Sequence, residues 1–250
     1  MTEWKDVGLI FRTGHFHESN LWVKIFLRAH GLVTVFAFGG ARSRKRFSGC
    51  LDTLNILDCR ITHSRTKEYH VLEEASLVSS PHMLRSNYPR LGILSNCLKF
   101  AEAVSISPDL APDCYDLVIN LRNCLEEREP LLCQFFFRLK LAGILGFKPD
   151  FEHCAACGKI FPESAFFIPR DGIILCDTCS RFMDREKRRQ ALPVSHWAAK
   201  RLDAVQRTLP YTWPESGLHD ETARQCGRIV DAFIQYHLGL DWNDGCFRRF

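Results

Sequence analysis

Cys154 and Cys157 stand two residues apart, eighteen residues follow, and Cys176 and Cys179 repeat the same spacing. Two residues between thiolates let one tight turn present both sulfurs at ~2.3 Å from a metal ion, and a second turn completes a tetrahedron. Gly158 follows the first pair, where such a turn often needs positive φ. Four ligands leave no open coordination position, so the set predicts one structural zinc ion rather than a catalytic one. Four ordinary buried cysteines, or a thioredoxin-like redox pair, are the competing readings, and the doubled spacing disfavours both. His153 adjoins the first pair but is surplus. The cysteines at 50, 59, 97, 114, 124, 133, 226 and 246 follow mostly apolar patterns and read as small core residues.

A second chemistry lies upstream. Arg42, Arg44, Lys45 and Arg46 place four cations in five residues, between Gly39-Gly40 and Phe47-Ser48-Gly49. Such a cluster repels itself unless an anion meets it. In Asn20 to Arg28, Leu21, Val23, Ile25 and Leu27 alternate with Trp22, Lys24, Phe26 and Arg28, so one strand face enters a core while the other offers rings and charge. Cations for phosphates and rings for bases predict a single-strand nucleic-acid contact through Arg42, Arg44, Lys45 and Arg46, with Trp22 or Phe26 available for stacking and Phe47 near in sequence. A solvated loop without a partner is the competing reading. Arg181, Arg185, Lys187, Arg188 and Arg189 form another basic group, diluted by Asp184 and Glu186, which reads equally well as a solvated face.

Enzyme signatures are missing. There is no GxxxxGK[ST] phosphate loop, GxSxG elbow, HExxH or GxGxxG. A zinc deaminase needs His-x-Glu and a proline before its cysteine pair, whereas Phe16 precedes His17-Glu18, and His153 and Leu175 precede the two pairs. A binding protein rather than an enzyme follows.

The elements that must position these residues change type along the chain. From residue 5 to about 80 the apolar period is two, giving strands near 7–12, 20–28, 32–38, 51–61 and 69–78. Five short strands in that length predict a small closed or partly closed barrel, since a lone open sheet would leave bare edges. After Ser79-Ser80-Pro81 the period becomes three to four, with helices expected around 91–101, 114–124, 131–145, 193–208 and 221–238. The stretch 131–145 is apolar nearly all round and should be the central helix of a second domain. Ala165-Phe-Phe-Ile-Pro and Gly172-Ile-Ile-Leu form a ribbon hairpin between the cysteine pairs. The expected class is a multidomain α+β protein: a β-barrel domain over 1–80, a helical domain over 81–250, and a four-cysteine zinc ribbon over 151–182 inserted in it.

Composition agrees with this. The 250 residues are 46% hydrophobic and 25% charged with net charge +4, as in ordinary globular proteins, and bulk charge alone does not establish polyanion binding. No run of 18 uncharged apolar residues occurs, and the first residues lack the basic-then-apolar layout of an export signal. Reduced thiols, a cytoplasmic location and no membrane partner are the expectation.

Taken in order, a barrel of about 80 residues with His17-Glu18 before its second strand, Gly31 in a turn, Gly40-Ala-Arg-Ser-Arg-Lys-Arg46, Leu141-Ala-Gly-Ile-Leu-Gly-Phe-Lys-Pro and Cys154-Ala-Ala-Cys-Gly158 resembles the RecO family of recombination mediators. Many members of that family lack some or all of the zinc cysteines, so the metal site rests on this chain's own residues. The tail from Pro210 matches little. The resemblance implies an amino-terminal OB-fold and a non-enzymatic, nucleoid-associated DNA-repair protein. It implies binding of single- and double-stranded DNA, annealing of complementary strands, and association with RecR. It also implies engagement of the acidic carboxy-terminal tail of single-stranded-DNA-binding protein to load recombinase. Arg122, Arg138 and Lys140, on or beside the apolar helix, are expected to rim a groove for that tail. A zinc-ribbon adaptor that binds only protein, and a hydrolase without recognisable motif, are the alternatives from other classes.

Overall fold

Alternation of apolar and polar residues yields five strands: β1 (Glu3–Phe16), β2 (Asn20–Leu27), β3 (Gly31–Ala37), β4 (Ile56–His63) and β5 (His70–Ser79). In the computed structural model, which describes residues 3–63, 69–215, 217 and 219–249, they close into an OB-like barrel in the order β1-β2-β3-β5-β4. Neighbours are antiparallel except β3 and β5. β1 is long enough to serve two partners, running beside β4 from Glu3 to Leu9 and beside β2 from Gly8 to Phe16. Its register slips between Ile10 and Arg12, a bulge of the kind that bends a strand around a barrel. As the alternation predicts, Leu21, Val23, Ile25 and Leu27 fill the barrel with Val35, Leu57, Ile61 and Leu72. The strand expected from Leu51 starts only at Ile56. Leu54 holds φ 68°, and the Asn55 side-chain amide donates to the Cys50 carbonyl at 2.9 Å, so this stretch is a fixed turn.

Past Ser79 the helices begin: α1 (His82–Ser86), α2 (Tyr88–Ala103), α3 (Ala111–Glu127) and α4 (Cys133–Ile144). Pro112 and Asp113 occupy the first turn of α3, where proline gives up no needed donor and the acid meets the positive helix end. The chain divides into two compact units, Met1–Tyr88 with Ser105–Ile119, and Pro89–Val104 with Asn120–Phe250. The first unit thus includes the opening turns of α3 as well as the barrel.

In the second unit a three-stranded sheet, ordered β7-β6-β8, is made by β6 (Ser164–Ile168), β7 (Ile173–Cys176) and β8 (Leu192–Ser195). Two short helices, α5 (Asp177–Ser180) and α6 (Arg185–Gln190), lie between β7 and β8. Then come α7 (His196–Arg207), α8 (Asp220–Leu238) and a terminal hairpin of β9 (Leu240–Asn243) and β10 (Cys246–Arg249). The single helix expected over 193–208 is therefore a strand followed by a helix. Pairing with β6 holds Pro193 to Ser195 extended, and the Ser195 hydroxyl caps α7 by accepting from the Ala198 N–H at 3.3 Å. α4 is central, as expected: Phe136, Phe137, Leu139 and Leu141 are fully buried, and α7 and α8 pack against it. The loop at Tyr211–Trp213 is anchored by Arg128, whose guanidinium donates to the carbonyls of both residues and pairs with Glu215. Among the described residues, no helix is long and apolar enough to cross a membrane.

Candidate metal centre and nucleic-acid interface

The ribbon gathers its four cysteines by two different devices. The Cys154 N–H donates to the Lys159 carbonyl at 2.9 Å and the Gly158 N–H to the Cys154 carbonyl at 2.8 Å, closing a turn in which Gly158 takes φ 72°. Cys176 ends β7 and stands before the first turn of α5, so Cys179 comes round one helical turn later. The four sulfurs lie within 4.8 Å of one another, and those of Cys157 and Cys176 are 3.8 Å apart. A tetrahedron with ~2.3 Å metal–sulfur bonds has edges of about 3.8 Å, so the set fits a single metal ion. Burial works to raise the Cys154 thiol. Hydrogen bonds from the backbone N–H groups of Cys176, Ala156 and Cys157, with one from the Cys157 thiol, overcome it and bring Cys154 down to about 6. Cys179 is pushed up to about 12, first by hydrogen bonds with Cys176 and Cys157 and then by desolvation. Four adjacent thiols resist joint ionisation; a divalent cation among them removes that resistance.

Of the remaining eight cysteines, seven are buried and Cys246 is half-buried. Burial pushes Cys59 up to about 12, which keeps its thiol protonated and unreactive.

The basic loop follows β3. Gly39 and Gly40 lead into a single 3-10 turn over Gly40–Arg42. Arg42, Arg44 and Lys45 are exposed, and Arg42 is 3.9 Å from Glu18 with both side chains in solvent. Arg46 is held instead: its guanidinium donates to the Phe38 carbonyl and lies 5.0 Å over the Phe47 ring, while its own carbonyl accepts from the Ala75 N–H at 3.0 Å. It also borders, with Lys5, Lys45, Arg60, Asp58 and Glu74, a cleft of about 480 Å³. Arg60 there is paired with Glu74 at 3.2 Å.

The outward face of β2 is split. Trp22 is half-exposed and lies flat on β1, so close that a Cβ added at Gly14 would fall 2.5 Å from its indole atoms. Phe26, expected to offer a stacking face, does not: it is fully buried, edge-on to Phe11 at 5.6 Å and to Tyr115 at 5.8 Å. The first turns of α3 cover this end of the strand, and Asp116 pairs there with Arg28 at 3.0 Å. Phe47 is fully buried as well. Other rings take their place. Phe36, directly across the ladder from Trp22, meets Phe16 at 5.0 Å and Tyr69 at 5.3 Å, and Phe38 lies 5.9 Å from Phe16. Sequence reading passes over these four, although the period of two in β3 puts Phe36 on the same face as Trp22. The outward surface of β1 to β3 is thus aromatic at its open end and continues at Phe38 into the basic loop.

The groove expected beside α4 is rebuilt in the same way. Arg122 and Arg138 form no rim: they are 2% and 6% exposed, and Arg138 pairs with Asp231 at 2.6 Å while lying over the Phe135 ring. Lys140 instead joins Lys148, Leu139, Gly143, Ile144 and Gln206 around a cleft of about 180 Å³. Burial, and then the charge of Lys148, lower the Lys140 pKa, a strain that an anion would relieve.

Comparison with known proteins comes down on one family. Residues 1–81 match the family model described as Recombination protein O N terminal, and residues 85–243 match Recombination protein O C terminal. The chain is 38% identical over 252 residues to the DNA repair protein RecO of Lawsonia intracellularis, with 99% of each chain covered. It is 38% identical over 259 residues to that of Oleidesulfovibrio alaskensis, again with 99% of each covered. With the RecO of Maridesulfovibrio salexigens it shares 33% over 244 residues, covering 96% of this chain and 97% of the relative.

Proposed function

This chain belongs to the RecO family of DNA repair proteins, and on that premise we propose that it is a non-enzymatic recombination mediator. It binds single- and double-stranded DNA, anneals complementary strands and helps load recombinase onto strands coated with single-stranded-DNA-binding protein. The observation that carries this reading is the outward face of β1 to β3, where half-exposed Trp22 and the rings of Phe16, Phe36, Phe38 and Tyr69 run into a loop with exposed Arg42, Arg44 and Lys45. Rings supply stacking that tolerates any base, and the cations follow the phosphates. Arg46 contributes by fixing the loop and by its charge.

The four thiolates are assigned to one zinc ion, since soft sulfur ligands in a closed tetrahedron suit zinc and leave no place for a substrate. The acidic tail of single-stranded-DNA-binding protein is assigned to the cleft between Lys140 and Lys148, whose apolar floor and basic rim match a short acidic segment. RecR is the further partner, and the place of work is the cytoplasm at the nucleoid. Functional divisions at 1–80 for the DNA-binding barrel, 81–250 for the helical domain and 151–182 for the inserted ribbon go with this assignment.

Titration of the full-length protein into a labelled thymidine homopolymer at several salt concentrations tests the proposal. The logarithm of affinity should fall linearly with the logarithm of salt, and converting Arg42, Arg44, Lys45 and Arg46 to Ala should flatten the slope by up to about 3, at ~0.7 per phosphate contact. Absence of salt-dependent binding would leave a protein-only adaptor as the better account.

A further inference from the structure

Among the described residues, a second place brings exposed guanidinium groups and an exposed ring together: the segment just after the last ribbon thiolate. Phe182 is 88% exposed, three residues beyond Cys179. Its turn is fixed by two backbone bonds, from the Phe182 N–H to the Cys179 carbonyl at 3.2 Å and from the Met183 N–H to the Ser180 carbonyl at 3.1 Å. α6 begins at once, capped by Asp184, whose carboxylate accepts from the Lys187 N–H at 2.7 Å. The Arg188 guanidinium folds back and donates to the Arg181 carbonyl at 2.8 Å, tying the helix to the turn that carries Phe182.

The charges here are unbalanced. Arg181, Arg185, Arg188 and Arg189 are all exposed, and among the described residues none of them is ion-paired. Three nearby acids are engaged, Glu186 with Arg170 at 3.4 Å, Asp171 with Lys187 at 2.7 Å and Asp184 with the helix cap, and Asp177, in the first turn of α5, is ion-paired with none of the four among the described residues. One exposed phenylalanine is unremarkable by itself. A ring standing clear of the surface beside four uncompensated cations is the pairing that single-stranded nucleic acid uses, with base on ring and phosphate on cation. An acidic peptide would instead want a groove to bury its own side chains, and a ring 88% exposed on a turn offers none.

We propose that Arg181, Phe182, Arg185, Arg188 and Arg189 form a second single-strand contact, separate from the barrel face. This rests on the reading of the chain as a nucleic-acid-binding protein and deepens it, because two contacts would let one chain hold two strand segments at once.

Five full-length, metal-loaded proteins decide the matter: the parent, the barrel-loop variant with Arg42, Arg44, Lys45 and Arg46 changed to Ala, a ribbon variant with Arg181, Arg185, Arg188 and Arg189 changed to Ala, the combination of the two, and Phe182→Ala. Anisotropy of a labelled thymidine homopolymer is read across a salt series. The ribbon changes should weaken binding and flatten the salt slope by up to about 3 in both backgrounds. Phe182→Ala should weaken binding about 5-fold or more with the slope unchanged, since no counterion is released by a ring. Unchanged affinity and slope on removing the ribbon cations overturns the second contact and leaves the barrel assignment standing, because the barrel-loop variant reports on that assignment alone. Capture of a synthetic acidic peptide by these residues, with oligonucleotide affinity unaffected, overturns it equally. Metal content and thermal unfolding verify folding. If the four-fold ribbon variant does not fold, Phe182→Ala decides alone, because that ring has little packing to lose.

Discussion

Trp22 and Phe26 lie four residues apart on the same face of β2, yet replacing each by Ala should have different consequences. Phe26 is fully buried between Phe11 and Tyr115, so its loss opens a cavity costing ~3–5 kcal/mol of stability. At ~4–8 °C per kcal/mol for a unit of this size, the barrel should melt at least ~12 °C lower. Trp22 is only partly exposed and covers backbone at Gly14, so its removal also gives up ~3 kcal/mol of apolar burial, and what separates the two variants is binding. If a base stacks on it, binding should weaken by ~1–3 kcal/mol, about 5- to 160-fold, with the salt slope preserved. Circular-dichroism melts and oligonucleotide titrations at three or more salt concentrations, on the same preparations, give both numbers for both variants. A Trp22→Ala protein that binds within twofold of the parent would refute the stacking role. A Phe26→Ala protein that keeps its melting temperature but loses binding would refute the assignment of that ring to the core.

Two further outcomes are expected. Cys176→Ser takes away one of the four converging sulfurs, so elemental analysis should show about one zinc per parent chain falling towards none in the variant; unchanged zinc would exclude the centre. His70 has its pKa lowered by burial first and then by the charges of His63 and His30, and among the described residues its Nδ1 has no hydrogen-bond partner. The unfolded chain therefore binds the extra proton more readily, and barrel stability should decline as pH drops below the ordinary histidine value of 6.5 until the folded value is passed. Urea midpoints at about pH 7.5 and about pH 5 should differ less in His70→Gln than in the parent, and an equal difference would show that other groups carry the effect.

What could be read in the sequence was whatever depends on local period and spacing. β2 declares its core face by strict alternation, and the doubled Cys-x-x-Cys declares a metal centre whose sulfurs indeed converge. What could not be read depends on partners distant in the chain. Nothing near Phe26 signals that Tyr115, some ninety residues later, will cover it. Arg122 and Arg138 look like surface cations until Asn123, Asp231 and the Phe135 ring receive them. Pro193 to Ser195 carries a helix-compatible pattern, and only the waiting edge of β6 makes it a strand. The terminal hairpin is different: Asp244-Gly245 between Trp242 and Phe247 is a recognisable turn signal that the reading of the sequence passes over.

The barrel's seam has a dynamic consequence. β3 and β5 meet in parallel through two residue pairs among those described, Val35 with His70 and Phe36 with Val71, while every other junction runs for seven or eight. Few cross-links make this the joint that parts most cheaply, so its amides should exchange with solvent through a partial opening that leaves the other strands paired. Phe36 and Tyr69 sit on either side of that joint, their rings 5.3 Å apart. A strand of nucleic acid laid across both rings would act as a clasp, closing the joint by the free energy of its own binding. Slowed exchange of the amides that cross this joint, on addition of oligonucleotide, would then report occupancy of the barrel in the absence of any label.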